Sequence, residues 1–329
     1  MKRQETIPSV NFAPMHPLSI LTAILAALVL SQESSVFSQT APKLKAGDIL
    51  FADSGNAIDG GFIVKVDPAT GAETIIASGG YLSNPFDVAV AANGQIIVSD
   101  SGRLISINPE TAVQTIIADD SQGTLGSPYG IALSGGLIVA ANLQAVIAVD
   151  PTTAQVQTLS SGGNFGYPVG VTISASGDMF VVNMASPASQ VLRINPQNGN
   201  QKVLAKGGLL KAPQAIAVSG DEIYVTDVAT SDGNFGVGRI VGINVRTGKQ
   251  RVVSEGSNLV GPVGIAIDNA GYLIVGDPFT VNPQSPDIAS GGYDGAIIRI
   301  NPQGGAQTVI ARGQGGYVNP RGVAVVGAP

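Results

Sequence analysis

The chain has no cysteine and no tryptophan, and its single histidine is His16. Without cysteine, no disulfide can staple the fold and no thiolate can serve as nucleophile or metal ligand. Loss of His16 with the segment around it would leave no Ser-His-Asp machinery, no histidine general base, and no zinc, copper or haem site built on His or Cys. Charge is also scarce, at 12% of the chain, and aromatic residues make up 5%. The 17 Lys and Arg against 23 Asp and Glu give a net charge of −6. That balance counts against nucleic acid as a partner, because such binding rests on neutralising phosphates. What the chain has in quantity is glycine (43) and proline (20), a composition suited to many short strands joined by tight turns.

The N-terminus reads as an export signal. Lys2 and Arg3 supply positive charge, and Leu18–Leu30 is apolar apart from Ser19 and Thr22. Its 13 residues are too few to cross a bilayer, which takes ~20. Val36 and Ser38 fit the small-residue rule for cleavage after Ser38, with Ala41 a second choice. The expected organisation is a signal over 1–38, a short linker over 39–46 and one domain over 47–329. The expected product is an exported monomer, periplasmic or extracellular, with no membrane span after cleavage; the alternative is an uncleaved anchor.

One phrase runs through the rest of the chain six times: Pro85–Val90 (PFDVAV), Pro128–Leu133 (PYGIAL), Pro168–Ile173 (PVGVTI), Pro213–Val218 (PQAIAV), Pro262–Ile267 (PVGIAI) and Pro320–Val325 (PRGVAV). Successive prolines lie 43, 40, 45, 49 and 58 residues apart, and self-similarity at about 40–50 residues in β-type sequence marks a propeller. In the copy starting at Pro85, Asp87–Ala91 is a short apolar strand and Asn93-Gly94 a hairpin turn. Gln95–Asp100 returns, Arg103–Asn108 alternates apolar and polar residues, and Val113–Ala118 forms the outer strand. Small residues recur at the centre of the first strand (Ala89, Ala132, Thr172, Ala217, Ala266, Ala324), where inner strands converge. The second strand ends in Asp53, Asp100, Asn142, Asn183, Asp227 and Asp277. The third runs into Asp67-Pro68, Asn108-Pro109, Asp150-Pro151, Asn195-Pro196, Asn244-Val245 and Asn301-Pro302, turns in which the Asx side chain bonds the backbone ahead. The N-terminal part supplies only three strands, and the last proline phrase lacks the other three. The expected fold is therefore all-β, a six-bladed propeller whose C-terminal strand joins the three N-terminal ones, leaving no exposed edge.

The unit P-x-G-[IV]-A-[IV], then G-x-[IL]-x-V-x-[DN], then a strand ending in [DN]-P, resembles NHL repeats of six-bladed propellers over nearly all of Gly47–Pro329. That resemblance implies a fold shared by lyases, protein-binding platforms, sensors and RNA readers. Quinone-dependent sugar dehydrogenases, paraoxonase-type lactonases and streptogramin-inactivating lyases rest on histidine and are set aside. Gluconolactonase-like propellers, more distantly similar, hold a divalent cation with carboxylate and amide oxygens. There an Asn or Asp stands just before the glycine of the first-strand phrase. Here those positions are Phe86, Tyr129, Val169, Gln214, Val263 and Arg321, of which only Gln214 offers a neutral oxygen.

Two groups of binding residues are expected, and no catalytic or metal-ligating ones. Phe86, Tyr129, Gln214 and Arg321 lie at the channel mouth, suited to a small anionic or aromatic ligand; the plain alternative, and the favoured one, is a plug of side chains. The connections Val228–Gly238 and Pro278–Gly295, with Ser54–Gly61, are the long ones, expected on one face with Asp232, Phe235, Phe279, Asp287, Tyr293 and Asp294. The sixfold Asp/Asn set is expected to be structural, carboxylate or amide to backbone N–H in neighbouring loops, because a function needs one site and a fold needs six. Asp119-Asp120 is expected in a polar loop without a calcium signature. The reading is an exported, non-catalytic binding or scaffold propeller for a protein, peptide or small molecule, without a cofactor. The alternative is a calcium-dependent hydrolase or lactonase of the gluconolactonase type.

Overall fold

The computed structural model describes residues 43–55, 60–185, 187–229, 235–280, 295–312 and 319–327. The expected signal over 1–38 and most of Pro278–Gly295 lie outside these residues, as does 230–234. Within the unit Thr40–Pro329, 24 strands form six four-stranded sheets. In chain order the first-blade strands are β1 (Ile49–Asp53), β2 (Phe62–Val66) and β3 (Glu73–Ser78), then β4 (Asp87–Val90), β5 (Ile96–Asp100), β6 (Arg103–Ile107) and β7 (Gln114–Asp119). The pattern repeats with inner strands β8 (Pro128–Ser134), β12 (Tyr167–Ile173), β16 (Pro213–Ser219) and β20 (Gly264–Ile267). The last strand, β24 (Pro320–Val325), pairs antiparallel with β1 through Ile49↔Val325, Leu50↔Ala324 and Phe51↔Val323. The sheet order β24-β1-β2-β3 completes the sixth blade, so the chain ends close the ring as the strand count requires.

The core is a set of layers between blades. Second strands are buried along most of their length, and wholly so in β1 and β5, because both their faces meet a neighbouring blade. One layer joins Leu50 and Ile63 to Val88, Val98 and Ile105; another joins Val139 and Ala141 to Val171 and Val181. At ~1.5–3 kcal/mol for each large buried side chain, these layers supply the main stabilisation of a chain without disulfides.

Polar stitches repeat with the blades. In each Asx turn the side-chain oxygen accepts the N–H two residues on: Asp67 from Ala69, Asn108 from Glu110, Asp150 from Thr152, Asn195 from Gln197, Asn244 from Arg246 and Asn301 from Gln303. A second stitch was not anticipated. Gln114, Gln201, Gln250 and Gln307, at the start of outer strands, each reach back to the preceding blade, accepting an N–H and donating to a glycine carbonyl.

Two local expectations need correction. The described ends of Val228–Gly238 are a hairpin extension and not loop, since β17 (Glu222–Ala229) and β18 (Phe235–Asn244) stay paired out to Ala229↔Phe235. Continued ladder bonding satisfies backbone groups that a loop would leave to water. Asp119 belongs to β7 and caps a single 3-10 turn at Asp120–Gln122, accepting the Ser121 N–H.

Candidate functional site

The inner strands of all six blades surround a cavity of about 1100 Å³. Apolar side chains contribute much of its wall, Val90, Leu133, Ile173, Val218 and Ile267 among them. The favoured side-chain plug is not what the structure has. With alanine or threonine at the centre of every inner strand, the interior is left with space.

The mouth is built by the residues that follow the prolines. At Pro128/Ile131, Pro168/Gly170 and Pro213/Ile216 the pairing of inner and second strands shifts register. Such a bulge releases one residue from the alternation of the pleat and re-aims its side chain. Tyr129, Val169 and Gln214 stand at these three shifts. All four residues expected at the mouth (Phe86, Tyr129, Gln214, Arg321) line this one cavity, as do Val169 and Val263.

Three aromatic rings form a continuous wall. Phe86 and Tyr129 have centroids 4.7 Å apart, and Tyr129 and Tyr167 are 5.6 Å apart. The Tyr167 hydroxyl donates to that of Tyr129 at 2.5 Å; burial, then this bond, push Tyr167 up to about 12. Arg321 places its guanidinium 5.6 Å from the Phe86 centroid. Burial lowers its pKa, opposed by the charge of Asp53 and by Tyr129. Asp53 itself accepts N–H groups from Gly55 and Asn319. Gln214 donates to the Ala212 carbonyl at 3.1 Å, which leaves its oxygen for a ligand.

Among the described residues, Asp87 is the one acidic residue in the cavity wall. It replaces the phrase's glycine, and its two oxygens accept the N–H groups of Val88 (2.9 Å) and, one blade on, Ile131 (2.8 Å). Burial pushes its carboxyl up to about 7, against the pull of these two bonds. Its own N–H is accepted by Ser99 Oγ at 3.1 Å, and Ser99 donates to the Tyr129 carbonyl. Ala215, the other departure from glycine, is served likewise by Thr226 Oγ1 at 2.9 Å.

The sixfold Asp/Asn set faces backbone. Asp100 accepts from Ser83 and Asn84 N–H and from the Ser83 hydroxyl. Asn142 accepts from Ser127, Asn183 from Gly166 and Tyr167, Asp227 from Lys211, and Asp277 from Val260 and Gly261. Each side chain thereby ties the end of one second strand to the loop entering its own blade. Burial raises the pKa of Asp53 and Asp277 despite these bonds.

Of the residues expected on the long connections, Phe279 lines the channel mouth with Val228 and Pro278, and its ring fills the space above Gly261. Phe235 starts β18; Asp232, Asp287, Tyr293 and Asp294 lie outside the described residues. The mouth also contains Tyr167, Asp87, Met184 and Asn319, which the phrase alignment did not single out. Tyr167 carried a signal, being the only aromatic among the residues that precede the six prolines.

No protein-family model matches the chain, and no curated protein matches it. Solved structures do, 924 chains in all, so the architecture is too widespread to select a function. One of them comes from "Crystal structure of Nidogen/Laminin Complex", with a TM-score of 0.65 and 14% identity, covering 84% of this chain and 97% of that one. The chain is a six-bladed propeller similar in fold to that neighbour.

Proposed function

We propose that this propeller is an exported, non-catalytic binding module of NHL-like type that takes a protein, peptide or small molecule at its channel-mouth face. One observation carries the reading. Residues from the phrase positions (Phe86, Tyr129, Gln214, Arg321) and from the long connections (Val228, Phe279) line the same open cavity. Aromatic rings, one cation and one amide around an apolar hollow are the ingredients of a binding pocket. The similar solved chain comes from a complex of two proteins, which supports a protein partner. Lys2, Arg3 and the Leu18–Leu30 run support export.

The calcium-dependent hydrolase has less behind it. Its ion would need several oxygens at the mouth, preferably carboxylates; among the described residues Asp87 is the one carboxylate there, and both its oxygens already serve the backbone. The test is a titration of the native chain with 1-anilinonaphthalene-8-sulfonate, beside melts in EDTA and in calcium. One saturable site should appear, lost in Phe86→Ala/Phe279→Ala and kept in Val113→Ala on the exposed outer edge. Dye uptake that ignores the mouth residues, or a calcium-dependent rise in melting temperature with lactone turnover, would overturn the proposal.

A further inference from the structure

Among the described residues, no hydrogen bond or ion pair reaches the Arg321 guanidinium; its contacts are the Phe86 ring and the longer-range charge of Asp53. A part-buried cation of this kind has lost water without gaining an acceptor. An arginine fork also matches a carboxylate with two parallel hydrogen bonds, which a lone ring face cannot supply. Below it the wall changes character. Past the three rings the part-exposed side chains of the lining are mostly small or aliphatic, Val90, Ala132, Leu133, Ile173, Val218 and Ile267 among them, with Thr172 a hydroxyl in their midst.

The charge pattern along the axis is therefore one cation at the rim and an apolar shaft beneath. Among the described residues Asp87 is the one carboxylate in the lining, and it is not among the charges that act on Arg321; its two oxygens face the N–H groups of Val88 and Ile131. An entirely apolar ligand would leave the guanidinium unpaired, and a small polar anion would leave the shaft unused. A cationic amphiphile would meet repulsion at the rim. We infer that the cavity binds an amphiphilic monocarboxylate, its head on Arg321 beside Gln214 and Asn319 and its apolar body running between the inner strands. The inference rests on the binding-module reading and names the ligand class of that same mouth.

The experiment is calorimetric titration of the native chain with three ten-carbon probes: decanoate, decan-1-ol and decyltrimethylammonium, each below its micelle concentration. Decanoate should bind once per chain and at least tenfold tighter than the alcohol, with no measurable binding of the ammonium compound. Arg321→Met should bring decanoate down to the alcohol's affinity and leave the alcohol within twofold, at an unchanged unfolding midpoint. Ala132→Phe, at a part-exposed position of the lining, narrows the shaft and leaves the rim intact, and should weaken decanoate and decanol together; it serves as the second variant if Arg321→Met does not fold. Equal binding of all three probes, or decanoate binding indifferent to both substitutions, would overturn the inference. If the anilinonaphthalene dye occupies the mouth while decanoate gains nothing over decanol, the ligand class falls and the binding module stands. If the dye also ignores the mouth, both fall.

Discussion

Gly130 separates two accounts of why glycine recurs in the inner-strand phrase. Propensity alone favours replacing it: in a strand, alanine is better than glycine by about 0.5–1 kcal/mol. Geometry says the reverse. A Cβ on Gly130 would stand 2.8 Å from Gly170 Cα, 2.8 Å from the Val169 oxygen and 3.2 Å from the Val171 nitrogen, all of them backbone of the next blade. Ordinary contact begins near 3.4 Å, so β8 and β12 must part by about 0.6 Å. A gap of about that size forfeits a quarter to a half of a contact's dispersion energy. It would open the layer where Val139 and Ala141 meet Val171, Met179 and Val181. With ~1.5–3 kcal/mol at stake for each large buried side chain, Gly130→Ala should cost about 2–3 kcal/mol. The control is Gly304→Ala, since Gly304 has no neighbour within 4 Å of a Cβ and no positive φ; it should be neutral or stabilising by about 0.5 kcal/mol. Urea unfolding followed by far-UV circular dichroism measures both. The dye titration should weaken in Gly130→Ala as well, because Tyr129 and Tyr167 ride on the two parted strands. A Gly130→Ala midpoint at or above wild type would refute close approach of the inner strands as the reason for the glycine.

Removal of Pro320–Gly327 should abolish cooperative thermal unfolding, because it strips the partner from β1 and takes buried Val323 and Val325 out of their layer; a single melt within a few degrees of wild type would contradict ring closure. Asp87 should make stability fall with rising pH. Its folded pKa of about 7 lies above the ordinary 3.8, so its contribution is complete below about pH 4 and lost as pH rises through 7, by up to about 4 kcal/mol. Asp87→Asn should flatten the difference in urea midpoint between pH 5 and pH 8, though one of its two N–H donors loses its acceptor; an unchanged slope would reject the assignment. Asp100→Ala strands the Ser83 and Asn84 N–H groups and should cost about 2–4 kcal/mol by urea denaturation. A loss below about 1 kcal/mol would show that water takes over these donors.

The parts of this molecule that were legible in the sequence are the ones that repeat. Six proline phrases, six second-strand Asp or Asn residues and six Asx turns each report a job every blade must do, and the pairing of β1 with β24 follows from counting strands at the two ends. The glutamine stitches escaped because they occur in four blades and their partners are glycine carbonyls, which leave no side-chain trace. The cavity escaped for a different reason. Its volume depends on how far six inner strands stand from an axis, and that distance is set by backbone approach at Gly130, Gly170 and Gly322, not by any composition rule.

Departures from the repeat tell more about the site than the repeat does. Where the phrase gives up its glycine, at Asp87 and Ala215, the facing strand carries Ser99 and Thr226, whose hydroxyls accept the displaced N–H. These two changes are locally compensated, so the fold absorbs them. Arg321 has no such compensation among the described residues. It is the one cation in the lining among the described residues, its pKa is lowered by burial, and Asp53, whose charge opposes that shift, is engaged with Gly55 and Asn319. A fold-level role for Arg321 would require a protein acceptor, as Arg251 has in Glu222 at 2.6 Å. Among the described residues the guanidinium has the Phe86 ring and the charge of Asp53 but no hydrogen-bond acceptor, so a substitution there should change binding far more than it changes stability.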